Sequence, residues 1–271
     1  MENNYLDLEH FDESQLHKHL NVSTISLTFH LNTHVNLDFI SKYLELNIND
    51  ICSVDYEGVK RTLREKKKNK KKKSDNFYNS ITLEISPVVN KYINFKIFRN
   101  GGVQVAGCKN IKEANIAINS LIKRLSENVA VYCEDLKKLK DIQFVFSPIE
   151  INKLKINLIN VNFKIDFNIN REIFYQILLN NNIESYYEKC KHAGVCIKFT
   201  PIDKIKPVSI FIFESGSIVI TGSKNEKHIV ESYNYITQLI NNNKKKIIKA
   251  SSESMLDNVL QSKFGHLIIR N

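Results

Sequence analysis

Stretches of alternating apolar and polar residues give way, twice over, to stretches with a helical period. Residues 21–31 (NVSTISLTFHL) are rich in β-branched side chains and predict a strand. Residues 35–46 carry Leu37, Ile40, Tyr43 and Leu44 on one face, which predicts a helix capped by Asn36 or Asn32. A short strand is expected over 51–59, followed by strands at 78–86, 93–98 and 103–106. Asn100-Gly101-Gly102 supplies the residue types of a tight hairpin turn between the last two. Residues 112–125 then place Ala114, Ile118, Leu121, Ile122 and Leu125 at helical spacing. The second half has the same order: a strand at 158–167, a helix at 171–180, strands near 185–188, 194–200, 209–213 and 217–221, and a helix over 227–241.

The order recurs because the sequence recurs. Residues 93–125 align without a gap on residues 208–240, with Ile97, Phe98, Gly101, Gly107, Lys109 and Asn110 falling on Ile212, Phe213, Gly216, Gly222, Lys224 and Asn225. One unit is longer than the roughly 20–50 residues of a stacked solenoid repeat. Two copies of one subdomain are therefore expected, with pseudo-twofold symmetry and a target that is itself roughly twofold; duplex DNA is the leading candidate. Antiparallel strand runs with helices segregated to one side predict an α+β fold. The helix-free face of such a sheet, of about ten strands, would be sticky unless it binds something. The expected divisions are a tail at 1–18, a first repeat at 19–128 with a Lys-rich insertion at 61–75, a connection at 129–155, a second repeat at 156–246 and an extension at 247–271.

Composition narrows the class. At 271 residues and 42% hydrophobic, the chain can bury a core. No apolar run approaches the ~18 residues of a membrane span, so no membrane partner is expected. The acidic, polar N-terminus is not read as a secretory signal. Five cysteines without a CxxC pair point to free thiols in a reducing, intracellular setting. Of the net charge of +10, seven units come from Lys66, Lys67, Lys68, Lys70, Lys71, Lys72 and Lys73, leaving +3 elsewhere. The basic character is thus mostly one local element. Cys190 and Cys196 flank His192, but no second Cys/His pair lies at zinc-finger spacing, so no metal is assigned. There is no nucleophile elbow, P-loop, dinucleotide fingerprint or HExxH, and neither an enzyme, a cofactor nor a small-molecule substrate is expected.

The block FIFESGSIVITGSK at 211–224, followed by a long helix, resembles the LIFxSGKxVxTGAK block of the TATA-box-binding protein (TBP) family. KIFRNGGVQVAGCK at 96–109 is a weaker version, and YEKCKHAGVCIKF at 187–199 resembles the family's YEPExFPGLIYRM stirrup. The resemblance covers roughly 21–125 and 157–246. It implies a TBP-like saddle: two pseudo-symmetric repeats forming one curved antiparallel sheet, with helices on the convex face and minor-groove DNA under the concave one. TBP is the reference case for kinking a duplex by inserting apolar wedges from the minor groove.

On that resemblance Phe98 and Phe213, just before the two hairpin turns, are the wedges; ordinary core aromatics are the alternative. The second wedge of each repeat falls on Tyr78 and on His192, where the family has phenylalanine. Imidazole loses apolar drive for insertion, so a shallower kink is expected on that side. Val219 and Thr221 match floor positions, with Gln104 and Ala106 as their partners in the first repeat. Asn157 matches the family's central asparagine, with Asn21 as its pseudo-symmetric counterpart; an amide there reads minor-groove acceptors. Ile159 and Val195 are assigned to the same DNA-binding set. Basic positions of the family are replaced by Gly102, Ser217 and Glu84, whereas Lys198 keeps its charge. The lysine run would compensate by contacting phosphates; a nuclear-localisation patch, a disordered insertion and a codon-bias expansion are the alternatives.

The function implied is a transcription initiation factor that binds A·T-rich promoter DNA in the minor groove, bends it, and recruits a transcription factor B-like initiation factor and RNA polymerase. Its place would be intracellular: the nucleus or, if a large DNA virus encodes it, the viral factory or virion. Two alternatives stand: a degenerate saddle acting as a protein-interaction scaffold, and an accessory domain of a nucleic-acid repair or RNase H-type enzyme.

Overall fold

The computed structural model describes residues 11, 13–64, 79–88, 90–133, 137–203 and 206–249. The chain divides into two compact units. One is built on Val22–Asn160; the other takes Asp12–Asn21 together with the chain from Val161 onward.

In the first unit the elements are β1 (Asn21–His30), α1 (Leu37–Tyr43), β2 (Ile51–Tyr56), β3 (Val59–Thr62), β4 (Ser80–Val88), β5 (Lys91–Phe98), β6 (Gly102–Cys108) and α2 (Ile111–Leu125). After them come β7 (Asn128–Cys133), β8 (Lys138–Gln143) and β9 (Asn152–Lys164). The strands pair in the order β9–β1–β6–β5–β4–β2–β3. Ile25, Leu27 and Phe29, Ile81, Leu83 and Ile85, Ile93, Phe95 and Ile97, and Val103 and Val105 are all buried. Ala114, Ala117, Ile118 and Leu121 of α2 share this core. Each such aliphatic or aromatic side chain larger than alanine stabilises the fold by roughly 1.5–3 kcal/mol relative to exposure.

The second unit uses the end of β9, then α3 (Arg171–Asn180), β10 (Ser185–Tyr186), β11 (Gly194–Phe199), β12 (Val208–Phe213), β13 (Ser217–Ser223) and α4 (Glu226–Ile247). Its strands pair in the order β10–β11–β12–β13–β9. Phe163, Phe174, Leu178, Val195, Ile197, Val208, Ile210, Ile212, Ile218, Ile220, Ile236 and Ile240 form its core. The α+β class holds in both units.

Among the described residues, each of the four α-helices starts on an asparagine. The side chains of Asn36, Asn110, Asn170 and Asn225 accept from the backbone N–H three residues on, satisfying one orphan donor of each first turn. Helix α4 outlasts its predicted end: the lysines Lys244–Lys246 complement its C-terminal dipole and Ile247 is buried. The strand expected over 51–59 is instead a hairpin, because Glu57 (φ 50°) and Gly58 (φ 80°) both take the left-handed region that a type I′ turn needs. Its second strand, β3, runs into the stretch read as a Lys-rich loop. The connection at 129–155, unassigned from sequence, holds a two-stranded sheet of β7 and β8 and the start of β9. Residues 12–21, read as mostly tail, belong to the second unit, where His17 and His19 pack on Tyr233.

Candidate nucleic-acid interface

Alternation along the strands leaves a second row of side chains opposite the core. In the second repeat this row is built on β11, β12 and β13. Gly194 pairs with Phe213, Cys196 with Phe211 and Phe211 with Val219, while Ser209 pairs with both Lys198 and Thr221. Phe211, Phe213, Val219 and Thr221 are half-buried. Phe213 closes β12, and its carbonyl accepts from Gly216 N at 3.1 Å. Gly216 has φ +78°, and a Cβ there would come within 2.6 Å of Phe167 O, so this turn requires glycine. Gly194 makes room for the Phe213 ring: a Cβ on it would stand 3.1 Å away.

The loop from β10 to β11 carries His192, which is exposed and edge-on to Tyr186 with ring centroids 6.1 Å apart. Lys198 Nζ lies 5.8 Å from the same Tyr186 ring and donates to Ser209 Oγ at 2.7 Å. Phe213, Val219, Thr221, His192 and Lys198 therefore all lie at this face or in the loop leading to it. Val195 does not. It is fully buried in the helix-side core, because it is one residue out of phase with Gly194 and Cys196.

The first repeat repeats the backbone and changes the chemistry. Phe98 is half-buried at the end of β5, its carbonyl accepting from Gly101 N at 2.9 Å. The Lys96 ammonium lies 5.9 Å from its ring. Gln104, exposed, sits between Lys96 and Thr28, and Ala106, exposed, between Asn94 and Ser26. Thr28 Oγ1 donates to Asn157 Oδ1 at 3.1 Å. Asn21 Nδ2 donates to Asn162 Oδ1 at 3.4 Å. Asn21 and Asn157 are not pseudo-symmetric mates: counting back equally from the helix caps Asn36 and Asn170 pairs Asn157 with Ser23. Ile159 is a further correction. It is fully buried, in phase with Val161 and Phe163 on the core side. Tyr78 and Lys66, Lys67, Lys68, Lys70, Lys71, Lys72 and Lys73 lie outside the described residues.

Glu84 sits in a charge cluster. Lys60 Nζ is 3.1 Å and Arg64 Nη1 2.8 Å from its carboxylate. Burial pushes the Glu84 carboxyl up, but Arg64 and Lys60 outweigh it and hold it below the usual range. Among the described residues no group of three or more His, Cys, Asp or Glu is placed to hold a metal ion. Among them, too, no helix is long and apolar enough to cross a membrane.

Comparison with known proteins accords with this geometry. Residues 153–243, the second repeat, match the family described as transcription factor TFIID (or TATA-binding protein, TBP). The chain is 33% identical over 250 residues to a TATA-box-binding protein-like protein of Acanthamoeba polyphaga mimivirus, an alignment covering 84% of this chain and 66% of that one. These matches mark the chain, which spans about two thirds of that relative's length, as a divergent TBP-like protein. Its fold is that of Methanococcus jannaschii TBP, with a TM-score of 0.53 at 21% identity over 82% of this chain and 98% of that one.

Against the TBP blocks, sequence reasoning missed several residues of the site. Phe211 stands opposite Val219 on the neighbouring strand, and the alternation Ser209, Phe211, Phe213 was the signal that could have found it. Gly194 was visible as a retained glycine, but its clearance for Phe213 was not. Tyr186, Arg171 and Glu214 gave no signal, since their roles depend on contacts between distant segments.

Proposed function

We propose that this TBP-like chain binds duplex DNA with the open faces of its two repeats, entering the minor groove of A·T-rich sequence and bending it. The supporting observation is the matched pair Phe98 and Phe213: two half-exposed rings, each ending a strand at a glycine turn, on the row that faces away from the core. A rigid apolar ring in that position suits insertion between base steps. In the second repeat Val219 and Thr221 add the small floor that close approach needs. Binding of this kind would serve promoter recognition and the recruitment of a transcription factor B-like initiation factor and RNA polymerase, in the nucleus or a viral factory.

Gel-shift titration on A·T-rich and G·C-rich duplexes tests this. The wild type should prefer the A·T-rich duplex, and Phe98→Ala/Phe213→Ala should lose about a hundredfold in affinity, from about 1–3 kcal/mol per stacked ring. Indifference to the double change would remove the wedge reading. A second reading, a scaffold that works through protein contacts, is favoured by one feature: the first repeat's face is polar, with Lys96, Gln104 and Glu84. Absence of duplex binding at low salt would select it.

A further inference from the structure

The residue after each wedge is charged, and the two charges are opposite. Arg99 follows Phe98, and Glu214 follows Phe213. Each reaches back to the start of the first helix of its own repeat. In the first repeat the Arg99 guanidinium lies 3.3 Å from Asp38 on α1 and donates to Tyr56 Oη at 3.1 Å. Tyr56 Oη donates in turn to Asp38 Oδ1 at 3.3 Å. In the second repeat the partner is Arg171, the first residue of α3, whose Nη2 donates to Glu214 Oε2 at 2.8 Å. The polarity is reversed, and the partner shifts by one position along the helix.

The second version does more. Arg171 Nη1 donates to the carbonyl of Ala193, the residue after His192. The same guanidinium lies 5.6 Å from the ring of Tyr187, at the other end of that loop. Its neighbour Glu172 receives Lys189 Nζ at 2.9 Å, a second tie between α3 and the loop. The Arg171 side chain is mostly covered, at 17% exposure, whereas Arg99 and Asp38 are about half exposed. Lys249 also bonds the Glu214 carboxylate, and Lys249 and Arg171 together hold that carboxyl below the usual range. One fork-shaped donor thus holds the wedge turn and the His192 loop at once. Lysine, a point donor, cannot hold both with comparable geometry.

We infer that Arg171 is the positioning residue of the second repeat, setting Phe213 and His192 in one fixed arrangement for the duplex, while among the described residues Arg99 and Asp38 tie the Phe98 turn to α1 and to Tyr56. The inference rests on the DNA-binding reading for its consequence, but not for its geometry.

Two measurements on the full chain separate the two. Hydrogen–deuterium exchange of the free protein reads the geometry. Arg171→Met should speed exchange in residues 188–194 and 214–217 and leave the core of β12 and α4 unchanged; Asp38→Asn should affect the turn at 99–101 and leave 188–194 and 214–217 unchanged. Unchanged exchange in 188–194 overturns the inference whatever the protein does with DNA. Duplex bending, by end-to-end energy transfer on a saturated A·T-rich duplex, reads the consequence. Arg171→Met should lower affinity by about tenfold, mainly in the off-rate, and reduce the bend. Arg171→Lys should fall between. Arg171→Glu with Glu214→Arg should restore slow exchange at 214–217 but not at 188–194, since no donor then faces the Ala193 carbonyl. If the wild type binds no duplex, the proposed function fails while the exchange result still decides the positioning role. If the wild type binds and Arg171→Met bends the duplex equally well, the inference fails alone.

Discussion

The two repeats use one set of strand registers to carry two chemistries. Lys96 pairs with Gln104 in the first, and Phe211 with Val219 at the corresponding place in the second. Glu84 stands opposite Asn94 where Lys198 stands opposite Ser209. Core positions did not diverge in this way: Phe95, Ile97, Val103 and Val105 correspond to Ile210, Ile212, Ile218 and Ile220, and all are buried. A one-residue slip would turn every buried side chain outward, so the core holds the register and leaves the opposite row free to change. The second repeat presents an apolar row and is the part that matches the family description. The first presents charges and amides in its place.

If the difference matters to DNA, the two wedges should not be equivalent. Phe213→Ala should cost more than Phe98→Ala, by about tenfold in affinity for an A·T-rich duplex, because Phe213 works beside Phe211 and Val219 and Phe98 beside an ammonium. Equal losses in parallel gel-shift titrations would mean that the floor does not influence the wedge.

A smaller effect should follow from making the first repeat resemble the second. Lys96→Phe with Gln104→Val should raise affinity for an A·T-rich duplex by roughly threefold to tenfold and reduce the slope of log K against log salt by about one. Titrations at several salt concentrations would read both. A loss of affinity would show instead that the polar row is itself the reading element.

The smallest effect is on stability. The Glu84 carboxyl lies below its ordinary value of 4.5, so its contribution is fully present above 4.5 and is lost as pH falls through the lowered folded value. Glu113, which burial raises but Lys91, Lys109 and Asn110 hold low, acts in the same direction. Thermal melts between about pH 6 and 3 should therefore show an acid limb that Glu84→Gln makes shallower. Lys198→Gln, at the matched place in the second repeat, should leave that limb unchanged. A limb unaltered by Glu84→Gln would mean that Lys60 and Arg64 satisfy the carboxylate no better than water does.

Much of this was legible before any coordinates. The gapless repeat, the glycine turns, the helical spacing of Ala114, Ile118, Leu121 and Leu125, and the cap Asn36, one of two candidates read for α1, all depend on neighbours within a few residues. Those local rules survive folding. Phe98 and Phe213 were singled out by their match to the TBP motif position just before such a turn. Ile159 and Val195 were misassigned because matching a motif identifies a position without its phase, and phase decides which face a strand residue occupies. The β2–β3 hairpin was missed because Glu-Gly is a weaker turn signal than Asn-Gly, and β7–β8 because it belongs to neither repeat.

The chain alone thus determined the α+β class, the doubling and the two turns that carry the rings, since these follow from residue spacing and from a backbone conformation that glycine adopts far more readily than other residues. Tertiary structure decided which strand residues face away from the helices, that Gly194 clears space for Phe213, and that Arg171 joins Glu214 to Ala193. Those are contacts between segments far apart in sequence, and their energies depend on distances that no local pattern encodes.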